Sequence, residues 1–477
     1  MTEQQTRPRS AGAARTAEPL DQAHWQERLS RLAERHRVPG AVLGILRAHP
    51  GGDDDQVLAA HGVLSKATGV EVTPDSLFQI GSITKVWTTT LLMQFVDENQ
   101  LDLDAPLASV LPELRLPGQD LAQRLTVRHL LTHTSGIDGD MFADTGRGDD
   151  CVEKYVALLA EIKINHPPGV TLSYCNSGFI LAGRVVEVLG GASWDEVLRK
   201  RLTGPLGLTS TCTLPEEAIL GRPAVGHVSE NGEAPHPAPV WVLPRSAGPA
   251  GLICAPAADV LQFARMHMSG GQAPDGTQLL SPGAVEAMQE KHADVPDTRT
   301  LCDSWGLGWF RLGWDGHRLV GHDGGTIGQS AFLRLLPEQG LAVTLLTNGG
   351  QTQDLYQNLF REIFAEVADV TMPAAPAPPD QAPEVDPSRY TGTYERTSVS
   401  TEIFERAGRL VLKATVSGPL AELTEQPVQE YDLVPVDEDL FVMREETEQT
   451  WTPVTFYTLD GGQRYLHYGM RAQPKIS

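Results

Sequence analysis

Short apolar runs near both ends of the first three quarters of the chain predict β-strands. Residues 40–47 and 56–60 are two such runs, and the segment between them is rich in Gly and Asp, the pattern of a β-hairpin. Three further runs occur later, at residues 318–320, 330–336 and 341–346. Because the turn at residues 337–340 joins the last two runs, we expect those strands to pair antiparallel.

The segments between these strands have helical patterns. Residues 82–95 are apolar on nearly every helical face, which predicts a helix buried in the centre of a domain. Residues 176–189 form a second predicted helix. Strands at both ends with helices between them indicate an α+β domain, in which an antiparallel sheet is flanked by helices.

A proline-rich segment divides the chain into two unequal parts. Residues 373–383 hold five prolines, which favour an extended conformation over a helix or a central strand. Beyond them, residues 390–472 alternate polar and apolar residues without a helical period, which predicts a small all-β module, a barrel. The predicted organisation is a disordered tail at residues 1–24, a catalytic domain at 25–372, a linker at 373–386 and an all-β domain at 387–477.

The net charge and the N-terminal segment exclude several classes of partner. A formal charge of −23 is repelled by nucleic acid and by an anionic membrane, so we expect neither as a partner. Residues 1–20 lack the apolar region of a signal peptide, and no run is long and apolar enough to span a bilayer, so we expect a cytoplasmic protein. The five cysteines contain no CxxC pair, which favours reduced thiols over disulfides or a zinc site.

The candidate chemistry begins at the predicted buried helix. Ser82 and Lys85 form an S-x-x-K pair at its N-terminus, and residues three apart lie on one helical face, so the hydroxyl and the amine can touch. The positive end of a helix and an apolar environment both disfavour an ammonium ion. A neutral Lys85 is therefore predicted to take the proton of Ser82. The pair is common in sequences, and its alternative is a capped helix with a surface lysine.

Two more motifs follow in order along the chain. Tyr174 and Asn176 form a Y-x-N motif, and His322 begins an H-D-G-G motif that ends in Gly324 and Gly325. With S-x-x-K, this set resembles the serine β-lactamase and penicillin-binding-protein superfamily, in particular the branch of class C β-lactamases, D-aminopeptidases and related esterases. The resemblance covers residues 25 to about 365. It implies a β-lactamase/transpeptidase-like fold, no cofactor and no metal.

The resemblance also implies a role for each residue of the first two motifs. Ser82 would be the nucleophile and Lys85 its base. The Tyr174 phenol would be a second proton acceptor, with its pKa lowered by a neighbouring ammonium. Asn176 would hold Lys85 and contact a substrate amide.

The third motif is implied to complete the site. The backbone N–H groups of Ser82 and Gly325 would form the oxyanion hole, and Gly324 would let the substrate approach the strand. His322 stands where many family members have lysine, and it can assist proton transfer near neutral pH without being a permanent cation. This favours peptidase, esterase or transacylase relatives over dedicated β-lactamases.

Other candidate residues have weaker patterns. His129 and His133 have the spacing of zinc ligands, but no glutamate follows His129, so we expect both to bond to local backbone. Ser135 lacks the G-x-S-x-G context of an α/β-hydrolase nucleophile. Trp241 lies in a Pro-rich loop and is a candidate to line the cleft, with core packing as the alternative.

The all-β module resembles, at residues 390–394 and 465–471, the lipocalin-like domain appended to some enzymes of this branch. Arg471 is its candidate binder of a substrate carboxylate, and a surface or structural arginine is the alternative.

Three functions follow as hypotheses. The favoured one is a stand-alone penicillin-binding-protein-type thioesterase, which takes a peptidyl ester or thioester, free or bound to a carrier protein, and cyclises or releases the peptide by aminolysis. The alternative is a hydrolase of D-peptides, amides or small esters, or a weak β-lactamase. A remote third is an inactive ligand-binding sensor, against which the intact motif set argues.

Overall fold

A computed structural model describes residues 19–49, 53–118, 120–229, 233–299, 301–418, 421, 426–444 and 448–477. Its helices are α1 (Gln22–Arg35), α2 (Thr84–Asp97), α3 (Leu107–Val110), α4 (Leu121–Arg124), α5 (Val127–Leu131), α6 (Cys151–Leu158), α7 (Asn176–Gly190), α8 (Trp194–Leu198), α9 (Pro215–Ala218), α10 (Gly248–Gly251), α11 (Ala257–Met268), α12 (Pro282–Gln289) and α13 (Thr352–Ala368).

The strands fall into a catalytic part and a C-terminal part. The first contains β1 (Gly40–Arg47), β2 (Asp55–Gly62), β3 (Phe78–Gln79), β4 (His227–Val228), β5 (His236–Pro237), β6 (Cys254–Ala255), β7 (Ala293–Asp294), β8 (Ser304–Trp305), β9 (Phe310–Trp314), β10 (His317–Thr326), β11 (Gln329–Leu336) and β12 (Leu341–Thr347). The second contains β13 (Gly392–Arg396), β14 (Val399–Arg406), β15 (Arg409–Val416), β16 (Val428–Pro435), β17 (Leu440–Met443), β18 (Thr452–Thr458), β19 (Arg464–Tyr468) and β20 (Arg471–Pro474).

One antiparallel sheet organises the catalytic domain, in the order β2-β1-β12-β11-β10-β9-β8-β7. Strand β1 pairs with β2 on one side and with β12 on the other, which confirms a sheet built from both ends of the domain. Every residue of β1 is buried, because helices cover both faces of the sheet. Val42 packs into the core that contains α2, whereas Leu43 packs into the core between the sheet and α1 and α13. The centre of the hairpin turn, residues 50–52, lies outside the described residues.

Helix α2 runs through the larger core, as the apolar pattern of residues 82–95 predicted. All of its residues from Thr84 to Phe95 are buried. The hydroxyls of Thr89 and Thr90 donate to the carbonyls of Lys85 and Val86 one turn back, so burial leaves neither hydroxyl without a partner. Ser82 itself lies in a short 3₁₀ turn, Gly81–Ile83, that leads into α2.

The C-terminal part is an eight-stranded antiparallel barrel in the order β13 to β20. A bridge between Tyr394 and Lys475 nearly closes it, which confirms the predicted all-β domain. Residues 369–386, which include the predicted linker, form no helix or strand. Helix α1 begins at Gln22, inside the segment predicted as a tail, and Asp21 caps it; residues 1–18 lie outside the described part of the chain.

The barrel contacts the catalytic domain beside the Y-x-N motif. The backbone N–H of Tyr174 donates to the carbonyl of Met470 (2.8 Å), and the N–H of Ala472 donates to the hydroxyl of Ser173 (3.1 Å). A second contact lies at the N-terminus of α13, where the buried Asp354 carboxylate accepts from the N–H and the hydroxyl of Thr450. The turn between β19 and β20 is thereby fixed against a predicted catalytic motif. Among the described helices, none has the length and apolarity needed to cross a bilayer.

Candidate active site

Ser82 and Lys85 are in contact, as the S-x-x-K spacing predicted. The Lys85 amine lies 2.9 Å from the Ser82 hydroxyl oxygen and 2.7 Å from the carbonyl of Ala250. The lysine side chain has no exposed surface. Burial lowers the pKa of Lys85 well below its ordinary value, and the nearby positive charge of Arg471 lowers it further. The neutral amine is therefore favoured, as proton removal from Ser82 requires.

The Tyr174 phenol is buried beside this pair. Its hydroxyl has no hydrogen-bond partner of normal geometry among the described residues. Burial raises the pKa of Tyr174 well above its ordinary value, and the neighbouring Ser82 hydroxyl and Arg471 charge oppose this only in part. The expected lowering of this pKa is wrong, because it required an ammonium at Lys85. Tyr174 is a protonated phenol with unused hydrogen-bonding capacity, a state suited to donating a proton.

His133 positions the Y-x-N segment, a role that the sequence analysis missed. Its Nδ1 accepts the backbone N–H of Cys175 (3.0 Å), and its carbonyl accepts the N–H of Ser173. Its ring stacks on Tyr174 with the ring centroids 4.2 Å apart. His129 has a different partner, the backbone N–H of Thr126, so both histidines bond to backbone as predicted.

Asn176 does not hold Lys85, contrary to the expectation. Its side-chain amide donates to Asp140 (2.9 Å), because an ionised carboxylate is a stronger acceptor than an amine. Asp140 is buried and also accepts from Arg396 (2.6 Å) and from Arg471 (2.6 and 3.0 Å), both in the barrel. Burial alone would raise the pKa of Asp140, but Arg471 and Arg396 hold it well below its usual range. We call Asp140, Asn176, Arg396 and Arg471 the Asp140 cluster.

The donors of Arg471 are engaged within the protein. Its Nε and Nη2 bond to the Asp140 carboxylate, and its Nη1 donates to the carbonyl of Gly469 (2.8 Å). These bonds occupy the edge of the guanidinium that would bind a substrate carboxylate in the predicted bidentate manner, and they favour the structural alternative. The guanidinium still lines the active-site pocket and lies 5.2 Å from the centre of the Tyr174 ring.

His322 is a neutral imidazole in this site. Its Nδ1 donates to the carbonyl of Asp323 (2.6 Å), so Nε2 carries the lone pair and is buried without a partner among the described residues. Burial lowers the pKa of His322 to about 3. The expectation that it titrates near neutral pH is therefore wrong, and His322 is suited to accepting a hydrogen bond.

Two adjacent glycines of β10 have different surroundings. A Cβ on Gly324 would lie 1.9 Å from the carbonyl oxygen of Ile80, in the turn that carries Ser82. A Cβ on Gly325 would have no atom within 4 Å. Gly324 is thus required for close packing of β10 against the nucleophile's turn, a role additional to its predicted one in substrate approach. This packing brings Ser82 and Gly325, whose backbone N–H groups are the predicted oxyanion hole, to one pocket.

The pocket has a volume of 450 Å³ and contains most of the predicted site residues. They are Ser82, Tyr174, Asn176, His322, Gly324, Gly325 and Arg471. Trp241 does not line it, because its indole N–H is turned to the carbonyl of Ala224 (2.8 Å); Leu243, two residues on, lines the pocket instead. Ser135 is buried elsewhere and accepts the N–H of Ile137.

The fold and the pocket are those of the serine hydrolase and acyltransferase class. The sequence profile of the family described as Beta-lactamase matches residues 25–367, and the chain belongs to this family. Penicillin-binding protein 4 of Amycolatopsis lactamdurans is 47% identical over 380 residues, which are 79% of this chain and 98% of that protein.

Two solved structures extend the comparison. The crystal structure of SurE has a TM-score of 0.74 and 30% identity, covering 95% of this chain and 99% of that one, so the similarity includes the barrel. Another structure of SurE contains D-Leu. A D-stereospecific amidohydrolase from Streptomyces sp. has a TM-score of 0.57 and 27% identity, covering 73% of this chain and 99% of that one.

The two glycines give a matched pair of substitutions. Gly324→Ala should destabilise the protein by about 1–3 kcal/mol through overpacking and should slow acylation by about 100-fold, because it displaces the oxyanion donors from Ser82. Gly325→Ala keeps its N–H and meets no atom. The free energy of unfolding should therefore be unchanged, and the acylation rate should stay within about threefold of the parent. Urea unfolding and the acylation rate with an activated ester measure them. Equal effects of the two substitutions would contradict this packing.

The buried lysine makes a prediction about stability and pH. The unfolded chain binds a proton at Lys85 that the folded chain does not, from the ordinary pKa of lysine down to the lowered folded value. Stability therefore rises with pH across this interval. Lys85→Met should reduce the slope of the free energy of unfolding against pH by up to about 1.4 kcal/mol per pH unit, which corresponds to one proton. The substitution should increase the free energy of unfolding near neutral pH. It should also lower acylation by about 10³-fold.

Denaturant unfolding between about pH 6 and pH 9 measures this slope. Lys154→Met, at an exposed lysine on α6, is the control and should leave the slope unchanged. The same slope in the parent and in Lys85→Met would show that Lys85 is protonated in the folded protein.

Proposed function

We propose that this protein is an acyltransferase that takes the acyl part of a peptidyl ester or thioester onto Ser82 and passes it to an amine. The donor arrives free or bound to a carrier protein, and attack by an amine of the same chain gives a cyclic peptide. The observation that carries the proposal is the wall of the pocket formed by Gly469, Met470 and Arg471 of the barrel. A catalytic domain alone would leave this side of the acyl-enzyme open to water.

Acylation uses the three motifs together. Lys85 accepts the proton of Ser82, and the serine oxygen bonds to the acyl carbonyl carbon, whose oxygen becomes an oxyanion held by the N–H groups of Ser82 and Gly325. The carbon–sulfur or carbon–oxygen bond of the donor then breaks. Tyr174, protonated and 4.9 Å from the Lys85 amine at its ring centre, is placed to donate a proton to the leaving group, and Lys85 restores that proton.

Transfer to an amine reverses this order. The amine attacks the Ser82 ester, its proton returns through Tyr174 and Lys85 to the serine oxygen, and the ester bond breaks as the amide forms. Water competes at this step. A wall that excludes water and orients the amine favours aminolysis, because the effective concentration of a correctly placed intramolecular nucleophile is high.

Hydrolysis of D-configured amides or peptides is the second candidate. It is supported by the similarity to the D-stereospecific amidohydrolase, whose chain this protein covers almost completely, and by the SurE structure that contains D-Leu. The same acyl-enzyme serves both reactions, and the difference lies in the acceptor. The product ratio with a peptidyl thioester that carries an internal amine separates the two candidates.

The barrel wall is tested by truncating Met470. Its side chain packs into the catalytic domain's core between the sheet, α1 and α13. Met470→Ala should leave acylation within about threefold but shift the ratio of cyclic to hydrolysed product toward hydrolysis by about tenfold, as expected for an added path for water. Thiol release and mass spectrometry of the products measure the two quantities.

Met443→Ala is the matched control, because Met443 is buried in the barrel's own core and does not line the pocket. It should change stability without changing the product ratio. A parent protein that gives only hydrolysed product would make the D-specific hydrolase the better assignment.

A further inference from the structure

A second cleft opens between the two domains and the segment that joins them. Its volume is 640 Å³. Its floor includes Leu312–Trp314 of β9 and Tyr356 of α13, one wall is residues 372–376 of the joining segment, and the roof includes Trp451 of the barrel. Three separate parts of the chain thus enclose one space.

This cleft adjoins the active-site pocket. Five residues line both: Leu301, Asp323, Gln353, Gly469 and Met470. Asp323 precedes the oxyanion-hole glycine Gly325 by two residues on β10. The second cleft therefore begins within one or two residues' reach of the reacting carbonyl.

The register of the sheet gives the distance along this path. Strand β9 pairs with β10 only as far as Gly321, so residues 322–326 of β10 have an unpaired edge beside the active-site pocket. Gly313 in the cleft floor pairs with Arg318, seven residues before Gly325. At about 3.3 Å per residue, an extended chain that starts at Gly325 reaches this floor after roughly six or seven residues.

The lining is suited to an uncharged, apolar chain. Among its aromatic residues Trp451 is partly exposed, whereas Trp314 and Tyr356 are buried below the surface. The two carboxylates nearest the floor are neutralised within the protein, Asp323 by Arg334 and Asp303 by Arg318. A peptide with apolar side chains would cover the exposed part of Trp451 without separating these two ion pairs.

We infer that this interdomain cleft binds the part of the acyl donor that is remote from the reacting carbonyl, a peptide segment with apolar side chains three or more residues from the scissile bond. The inference rests on the proposed acyl transfer from a peptidyl donor and adds the site that selects long donors over short ones.

Two tryptophan substitutions in the joining segment test this site. Ala375 lines the cleft and is half-buried, so Ala375→Trp fills it, whereas the exposed Ala377 lies outside the lining and Ala377→Trp is the matched control. Acylation is followed by thiol release with thioester donors of about one, three and six apolar residues. Ala375→Trp should lower kcat/KM for the longest donor by about tenfold or more and leave the shortest within about twofold. Trp451→Ala should also lower kcat/KM most for the longest donor and least for the shortest, but by smaller factors.

The outcomes separate this site from the proposed function. Three results would each overturn the cleft as the donor site. They are equal effects on all three donors, no effect on any donor, and a dependence on the length of the thiol instead of the acyl chain. The kcat/KM for thiol release covers only the steps up to irreversible acylation, so it does not depend on the acceptor. If Ala375→Trp lowers kcat/KM in proportion to donor length and the products are purely hydrolytic, the cleft is supported as the donor site and the proposed aminolysis is contradicted.

Discussion

Lys85 lies beneath Ser82 with no exposed surface, and the rest of the site depends on that exclusion of water. An ammonium in this position would lack hydration, so the amine is held in the form that can accept a proton. The surrounding helix α2 is buried along its whole length up to Phe95, and the hydroxyls of Thr89 and Thr90 are satisfied within it. The packing of the larger core thus supports the chemistry. The neutral states of Tyr174 and His322 follow from the same burial, so the active site holds few charges of its own.

The charges beside the site are concentrated in the Asp140 cluster, which joins the two domains. Two arginines of the barrel meet one buried carboxylate that also accepts from Asn176. Asp138, next to it, accepts the backbone N–H of Thr397 of the barrel (2.6 Å), so two acids and two guanidiniums balance in this region. Removing one partner of such a buried set leaves a charge uncompensated, which is far more costly than the net stabilisation by the set. The barrel is therefore a structural part of the active site, because its docking fixes both the Y-x-N segment and the pocket wall.

The sequence predicted features that depend on local pattern. The hairpin, helix α2, helix α7 and the S-x-x-K contact all follow from periodicity and spacing over a few residues. It did not predict the partners of Asp140, because Arg396 and Arg471 lie 256 and 331 residues away along the chain. The expected lowering of the Tyr174 pKa and the expected titration of His322 near neutral pH were wrong, because both depend on burial by several elements at once, which motif spacing does not report. The contact between His133 and the Y-x-N segment exists only in three dimensions, so no sequence pattern reports it. The sequence did contain one signal for the Asp140 cluster, because Asp138 and Asp140 stand together just after the H-T-S-G segment.

Proton removal from Ser82 requires that the amine of Lys85 is neutral in the resting protein. Heteronuclear NMR of lysine-labelled protein, with the Lys85 resonance assigned by its loss in Lys85→Arg, measures this state directly. We expect a neutral-amine signal near neutral pH that titrates well below the range of the other lysines. An ammonium signal that titrates near the ordinary value of about 10.4 would contradict this expectation, since Lys85 would then be unable to take the proton of Ser82.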